Sequence, residues 1–137
     1  MTAKLLAKQF HFQSYHRKKI LLVEDNDINR MLMSDCLRYY EYDVQDLSAG
    51  SNCVTVVEKF KPQLILLDLK LPDVDGYVLL EQLHKLYNIP IIIVSAFAFK
   101  ADQEKAKNLG AKRYFVKPVN LNELVMAIEE EIVCCQL

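Results

Sequence analysis

Residues 64–76 read L-I-L-L-D-L-K-L-P-D-V-D-G, an apolar strand that meets a single carboxylate, Asp68, at its carboxyl end. A run of Leu and Ile without polar alternation is a strand buried on both faces, the kind found in parallel sheets covered by helices on each side. An aspartate closing such a strand emerges at the carboxyl edge of the sheet, where open α/β sheets hold their ligands. Residues 20–23 repeat the pattern and end in Glu24-Asp25, residues 91–94 end in Ser95, and residues 114–116 run into Lys117-Pro118. Parallel strands would gather these three carboxylates, one hydroxyl and one ammonium on a single edge.

From Lys19 onward the hydrophobic pattern alternates between short apolar runs and helical periodicity, which predicts repeated strand-helix-strand units in one α/β domain. The expected strands are 19–23, 43–47, 64–67, 91–94 and 113–116, and the expected helices 26–40, 51–60, 75–86, 100–109 and 121–133. Asn120, with Glu123 three residues later, is a capping-box-like start for the last helix. Gly110 stands where a helix exit can use positive φ, and Pro62 and Pro90 sit just before strands. In the last helix, Leu121, Leu124, Val125, Ile128 and Ile132 recur at helical spacing and should face the sheet, leaving Glu129, Glu130 and Glu131 in water.

A chain of 137 residues is one domain by size and can bury roughly two-thirds of its unfolded surface, so it needs no cofactor to hold it together. No apolar run approaches the ~20 residues of a membrane span. The charge is uneven: the first 19 residues carry +5 and no acid, while the remaining 12 bases and 18 acids give −6. The basic residues 1–18 are read as an extension for docking or solubility, not as a nucleic-acid or membrane element, and they lack the features of a secretory signal. Residues 19–137 are read as the folded unit. Cys36, Cys53, Cys134 and Cys135 have no metal-binding spacing and are expected as reduced thiols in a cytoplasmic protein. The terminal C-C-Q-L is a poor prenylation signal, because Gln136 holds a position that prefers an aliphatic residue.

Three carboxylates in one crevice repel each other unless a cation joins them. A hard divalent ion such as Mg²⁺, which takes oxygen ligands, meets that need, and no His or Cys is placed to favour zinc. Lys117 repels such an ion unless an anion lies between them, and a phosphoryl group is a suitable anion. Lys117 would then contact one phosphoryl oxygen and Ser95 another, while a carboxylate oxygen of Asp68 attacks phosphorus. Taken singly these residues say little, since an acid pair at a strand end is often a helix cap. The joint placement at four strand ends is what points to chemistry.

The segments V-E-D, L-L-D-L-K-L-P-D-V-D-G, V-S-A and Y-F-V-K-P resemble the receiver domain of two-component response regulators, over about residues 19–133. The resemblance implies a flavodoxin-like (βα)5 fold with strand order 2-1-3-4-5. It implies that Asp68 accepts phosphate from a histidine kinase or phosphotransfer protein, with Glu24, Asp25, Asp68 and the Lys70 backbone carbonyl arranging Mg²⁺ or Mn²⁺. It also implies that Ser95 and Tyr114 form a switch pair, that Lys117 contacts the phosphoryl group, and that the Lys117-Pro118 bond can be cis. Positions two past the acceptor and two past the hydroxyl are Lys70 and Phe97, from which slow self-dephosphorylation is expected.

Added charge at Asp68 should draw Ser95 inward and let Tyr114 rotate into the vacated space, changing the face made by the fourth helix, fifth strand and fifth helix. With no effector domain after Val133, a stand-alone receiver is expected, its output a downstream protein or self-association. It would be a signalling phosphoacceptor that assists its own phosphorylation and dephosphorylation, not a conventional enzyme. Three other readings stay open. A Mg²⁺-dependent aspartyl-phosphate phosphatase usually carries a second acid where this chain has Lys70. A phosphate-independent scaffold would not need the complete acid, hydroxyl and lysine set. A flavin-binding domain would need a phosphate loop after the first strand, which is lacking.

Overall fold

The computed structural model describes residues 16–136; most of the 1–18 extension, and the side chains of Cys134 and Cys135, lie outside the described residues. Among the described residues five strands alternate with five helices: β1 (Lys19–Val23), α1 (Asp27–Tyr39), β2 (Asp43–Leu47), α2 (Cys53–Phe60), β3 (Leu64–Leu67), α3 (Gly76–Leu86), β4 (Ile91–Ser95), α4 (Lys100–Asn108), β5 (Arg113–Val116) and α5 (Leu121–Gln136). The strands form one parallel sheet in the order β2-β1-β3-β4-β5, as expected for the flavodoxin-like (βα)5 architecture.

The absence of alternation in the central strands has its reason in two separate cores. Ile20, Leu22, Leu64, Leu66, Ile92 and Val94 point to one face, where Met33 and Leu37 of α1 and Leu124, Val125, Ile128 and Ile132 of α5 cover them. Leu21, Val23, Ile65, Leu67, Ile91 and Ile93 point to the other, against Val57 of α2, Leu79, Leu80 and Leu83 of α3, and Ala106 of α4. Each such Leu or Ile, wholly buried, contributes about 1.5–3 kcal/mol relative to exposure.

Side chains define several helix starts. Asn26 Oδ1 accepts from Asn29 N, Asp75 Oδ1 from Tyr77 N, and Asn120 Oδ1 from Glu123 N. The α2 start differs from expectation: the helix begins at Cys53, not 51, and the Gly50 and Ser51 amides before it donate to Asp73. Ser95 lies within β4, paired with Val116, instead of just beyond it. Gly110 follows α4 with φ of 117°, the exit foreseen for it. On α5 Glu129 and Glu130 are exposed as expected, while Glu131 is half-buried, and Arg113 on β5 donates to Glu130 Oε2 at 2.6 Å and to Glu131 Oε2 at 3.0 Å. Arg113 is at the edge of the sheet facing α5, a neighbour that helical periodicity alone does not reveal.

Candidate phosphoacceptor site

The sheet ladder continues one step beyond the strands and fixes the site residues by their own backbones. Glu24 N donates to Leu47 O, Asp68 N to Val23 O, and Lys117 N to Ser95 O, at 2.9, 3.0 and 2.9 Å. Residues from β1, β3, β4 and β5 thus meet at one edge, where the order of β1 and β3 reverses the direction of winding. The structure brings together Glu24, Asp25, Asp68 and Lys117 as the strand ends implied.

Lys117 Nζ lies 2.6 Å from Glu24 Oε1 and 2.7 Å from Asp68 Oδ2. Glu24 is 1% exposed and Asp68 4%, whereas Asp25 is open to solvent. Glu24 Oε2 also accepts from Asn26 N at 3.0 Å, so both of its oxygens have protein donors. Burial pushes the Glu24 carboxyl above its ordinary range despite the hydrogen bonds from Lys117 and Asn26 that oppose it. Burial pulls the Lys117 ammonium down, but hydrogen bonds to Asp68 and Glu24 outweigh that effect and raise it.

One carboxylate oxygen from each of Glu24, Asp25 and Asp68 lies within 4.8 Å of the others. With every group charged, three carboxylates and one ammonium leave the cluster at −2, a charge that one divalent cation neutralises. All the donors are hard oxygens, which suits Mg²⁺ and not zinc. Lys70 N donates to Asp68 Oδ1 at 3.1 Å, so the segment carrying the Lys70 carbonyl is tied directly to the central acid. The antiparallel bridge between Lys70 and Asp75 closes the loop after β3.

Ser95 is fully buried, and its Oγ accepts from Phe97 N at 3.2 Å. Tyr114 is already turned inward, its hydroxyl donating to Phe97 O at 2.7 Å. Burial raises the Tyr114 phenol, with a hydrogen bond from Ser95 acting in the opposite direction. The Phe97 ring is stacked on Tyr77 of α3, with centroids 6.5 Å apart and planes at 19°. The Lys117-Pro118 peptide bond is cis.

The family profile described as "Response regulator receiver domain" matches residues 20–129. The chain belongs to this family. It is 31% identical over 115 residues to the polar-differentiation response regulator DivK of Brucella ovis, covering 82% of this chain and 94% of that one. Among solved structures, a CheY-like response regulator receiver domain protein from Methanospirillum hungatei superposes with a TM-score of 0.81 at 31% identity, covering 85% of this chain and 94% of the other. The BeF3-activated N-terminal receiver domain of RstA from Klebsiella pneumoniae gives 0.81 at 26% identity, over 84% and 98%. Receiver domains are signalling phosphoacceptors that hold Mg²⁺ in an acidic pocket and interact with histidine kinases or phosphotransfer proteins. No helix among the described residues of this receiver is long and apolar enough to cross a membrane.

Two supporting residues escaped the sequence reading. Arg30 Nη1 donates to Glu24 O at 3.0 Å and Asp25 O at 3.4 Å, clamping the turn that presents both acids. Asp73 accepts from Gly50 N at 2.9 Å and Ser51 N at 2.8 Å, tying the loop after β3 to the loop after β2. Arg30 lies six residues past Glu24 and five past Asp25, which is a local cue. The partners of Asp73 lie more than 20 residues away and leave no such cue.

Proposed function

We propose that this receiver takes a phosphoryl group on Asp68 from a histidine kinase or phosphotransfer protein. The observation that carries the reading is a nearly buried carboxylate held 2.7 Å from the Lys117 ammonium within the acidic cluster. An Asp68 oxygen attacks phosphorus, the bond from phosphorus to the donor breaks, and a donor imidazole leaves with its electron pair and takes up a proton. Lys117 turns from the carboxylates to a phosphoryl oxygen, and the Ser95 hydroxyl donates to another. Glu24, Asp25, Asp68 and the Lys70 carbonyl would hold Mg²⁺, or Mn²⁺ in its place, which when bound offsets the charge of the incoming group. Lys70, two residues past the acceptor, and Phe97, two past Ser95, are read as slowing its hydrolysis.

The donor reaches Asp68 past α1. Ile28, Met31 and Leu32 are exposed there, and a cleft of about 400 Å³ lined by Leu32, Met33, Val94, Pro118 and Lys117 adjoins them. Such a patch suits an apolar helix face on the protein that presents the phosphohistidine. Output runs through Ser95 and Tyr114 to the α4-β5-α5 face, where Phe99 and Met126 are exposed for a protein target or a second copy. The receiver unit is read as 19–137 after an extension of residues 1–18, and Cys36 and Cys53, neither of them in a disulfide, suit action in the cytoplasm. The inward Tyr114 favours a second reading, a scaffold whose output face is presented without phosphate.

Intact mass after incubation with acetyl phosphate and Mg²⁺ separates the two. A gain of about 80 Da in the wild type but not in Asp68→Asn, and only with the metal, is expected for one added phosphoryl group. No gain in either protein overturns the phosphoacceptor reading in favour of the scaffold.

A further inference from the structure

Both residues of the switch pair rest on the same peptide unit chain. Phe97 N donates to Ser95 Oγ, and Phe97 O accepts from the Tyr114 hydroxyl. The position of Phe97 therefore decides whether Tyr114 has an acceptor inside and where the Ser95 oxygen is held. Phe97 lies in the connection between β4 and α4, and the feature that restrains its ring is on a different element. Tyr77, near the start of α3, stacks on that ring at 6.5 Å.

Tyr77 is itself held from two sides by α4. Its hydroxyl donates to Asp102 Oδ1 at 2.9 Å, and Lys105 Nζ lies 4.1 Å from the centre of its ring. The other Asp102 oxygen accepts from Phe99 N at 3.2 Å, so the same carboxylate caps α4 and grips Tyr77. Burial, and then the bond to Asp102, raises the Tyr77 phenol, so it stays protonated and remains the donor. A ring stack, a charged hydrogen bond and a cation over the ring converge on one side chain.

We propose that Tyr77 is a positioning residue for the phosphorylation switch: it locks Phe97 in place and so preorganises the inward Tyr114 and the Ser95 hydroxyl for the phosphoryl group. The inference rests on Asp68 as phosphoacceptor. Its physical basis is that a ligand shifts a two-state element only by its differential affinity, so an element already biased to the bound arrangement takes the ligand more tightly. Among the described residues no hydrogen bond joins Tyr77 to Glu24, Asp25 or Asp68, its carboxylate partners being Asp75 and Asp102, so it should leave the metal site alone.

The experiment compares the wild type with Tyr77→Phe and Tyr77→Ala in full-length protein. Beryllofluoride, with Mg²⁺ present, serves as the phosphoryl probe; Mg²⁺ alone serves as the control; and the Tyr114 ring is followed by NMR on tyrosine-labelled samples. Tyr77→Ala is expected to weaken beryllofluoride by about tenfold and to increase Tyr114 ring averaging in the free protein, with Mg²⁺ affinity unchanged. Tyr77→Phe keeps the stack and loses only the Asp102 bond, so its effect is intermediate, about threefold. Unchanged or tighter beryllofluoride in Tyr77→Ala overturns the proposal, as does an equal loss of Mg²⁺ affinity, which marks general damage. If the wild type itself fails to take beryllofluoride, the phosphoacceptor reading fails. The lock on Tyr114 is then judged by its NMR signature alone, and an unaltered ring in Tyr77→Ala overturns it.

Discussion

Replacing Lys117 with Met keeps an unbranched side chain one atom shorter and removes its charge, which tests the electrostatic balance of the site. The ammonium lies 2.6 Å from a carboxylate oxygen of Glu24 and 2.7 Å from one of Asp68, and both carboxylates are almost wholly buried. Removing one partner of a buried ion pair costs about 3–5 kcal/mol. The folded chain has an alternative to keeping two bare carboxylates together, which is to protonate Glu24, a group burial already pushes upward. Holding that carboxyl protonated near pH 7, against its ordinary value of 4.5, costs about 3.4 kcal/mol at 1.36 kcal/mol per pH unit, which caps the part of the loss that Glu24 carries. The cap falls with acidity. Near pH 5 the same protonation costs about 0.7 kcal/mol, so the defect of the variant shrinks as pH falls. The sign follows from a folded pKa above the unfolded one: the protonated form stabilises the fold at low pH, and that contribution is lost as pH rises.

Urea unfolding in the presence of a chelator, at both pH values, is the direct assay. Near pH 7 the variant is expected to lose about 3 kcal/mol, or about 12 °C in melting temperature for a domain of this size. Mg²⁺ should restore part of the loss by supplying the missing positive charge. A loss under about 1 kcal/mol near pH 7, or an equal loss at both pH values, refutes the charge-balance argument.

Three other outcomes are expected. Burial pushes the Cys53 thiol up from 9.0 to about 11, so stability is full below pH 9 and falls by about 3 kcal/mol through pH 11; Cys53→Ala should flatten that part of a pH-stability curve, and an unaltered curve refutes the assignment. Gly110 has φ of 117°, and a Cβ there would run into the His84 ring. Gly110→Ala should therefore cost about 2 kcal/mol or more in urea unfolding, and a midpoint equal to the wild type's would show that α3 and α4 yield more easily than their packing implies. Label on phosphorylated protein should persist well beyond seconds after the donor is removed, and loss within seconds would contradict the reading of Lys70 and Phe97.

Much of the site could be read before any coordinates because its chemistry is carried by strand ends. Once β1, β3, β4 and β5 are parallel, Glu24, Asp25, Asp68, Ser95 and Lys117 have to share an edge, whatever the helices do. The strands themselves announce double-sided burial by their lack of alternation, and Asn26, Asp75 and Asn120 mark helix starts through contacts no more than three residues away. Sheet order and family followed from the same motifs.

The tertiary structure decided what depends on one element lying beside another. Tyr77 and Asp102 are 25 residues apart, Gly50 and Asp73 are 23, and Arg113 and Glu131 are 18. Each is an ordinary surface residue by pattern, and each becomes a partner only through packing. The Tyr114 rotamer belongs to the same class, because its acceptor is a carbonyl on a connection whose course is set by a stack with α3. Backbone hydrogen bonding and burial leave local, periodic traces in a sequence, whereas side-chain contacts across helices do not, because they depend on distances between elements that no single segment encodes.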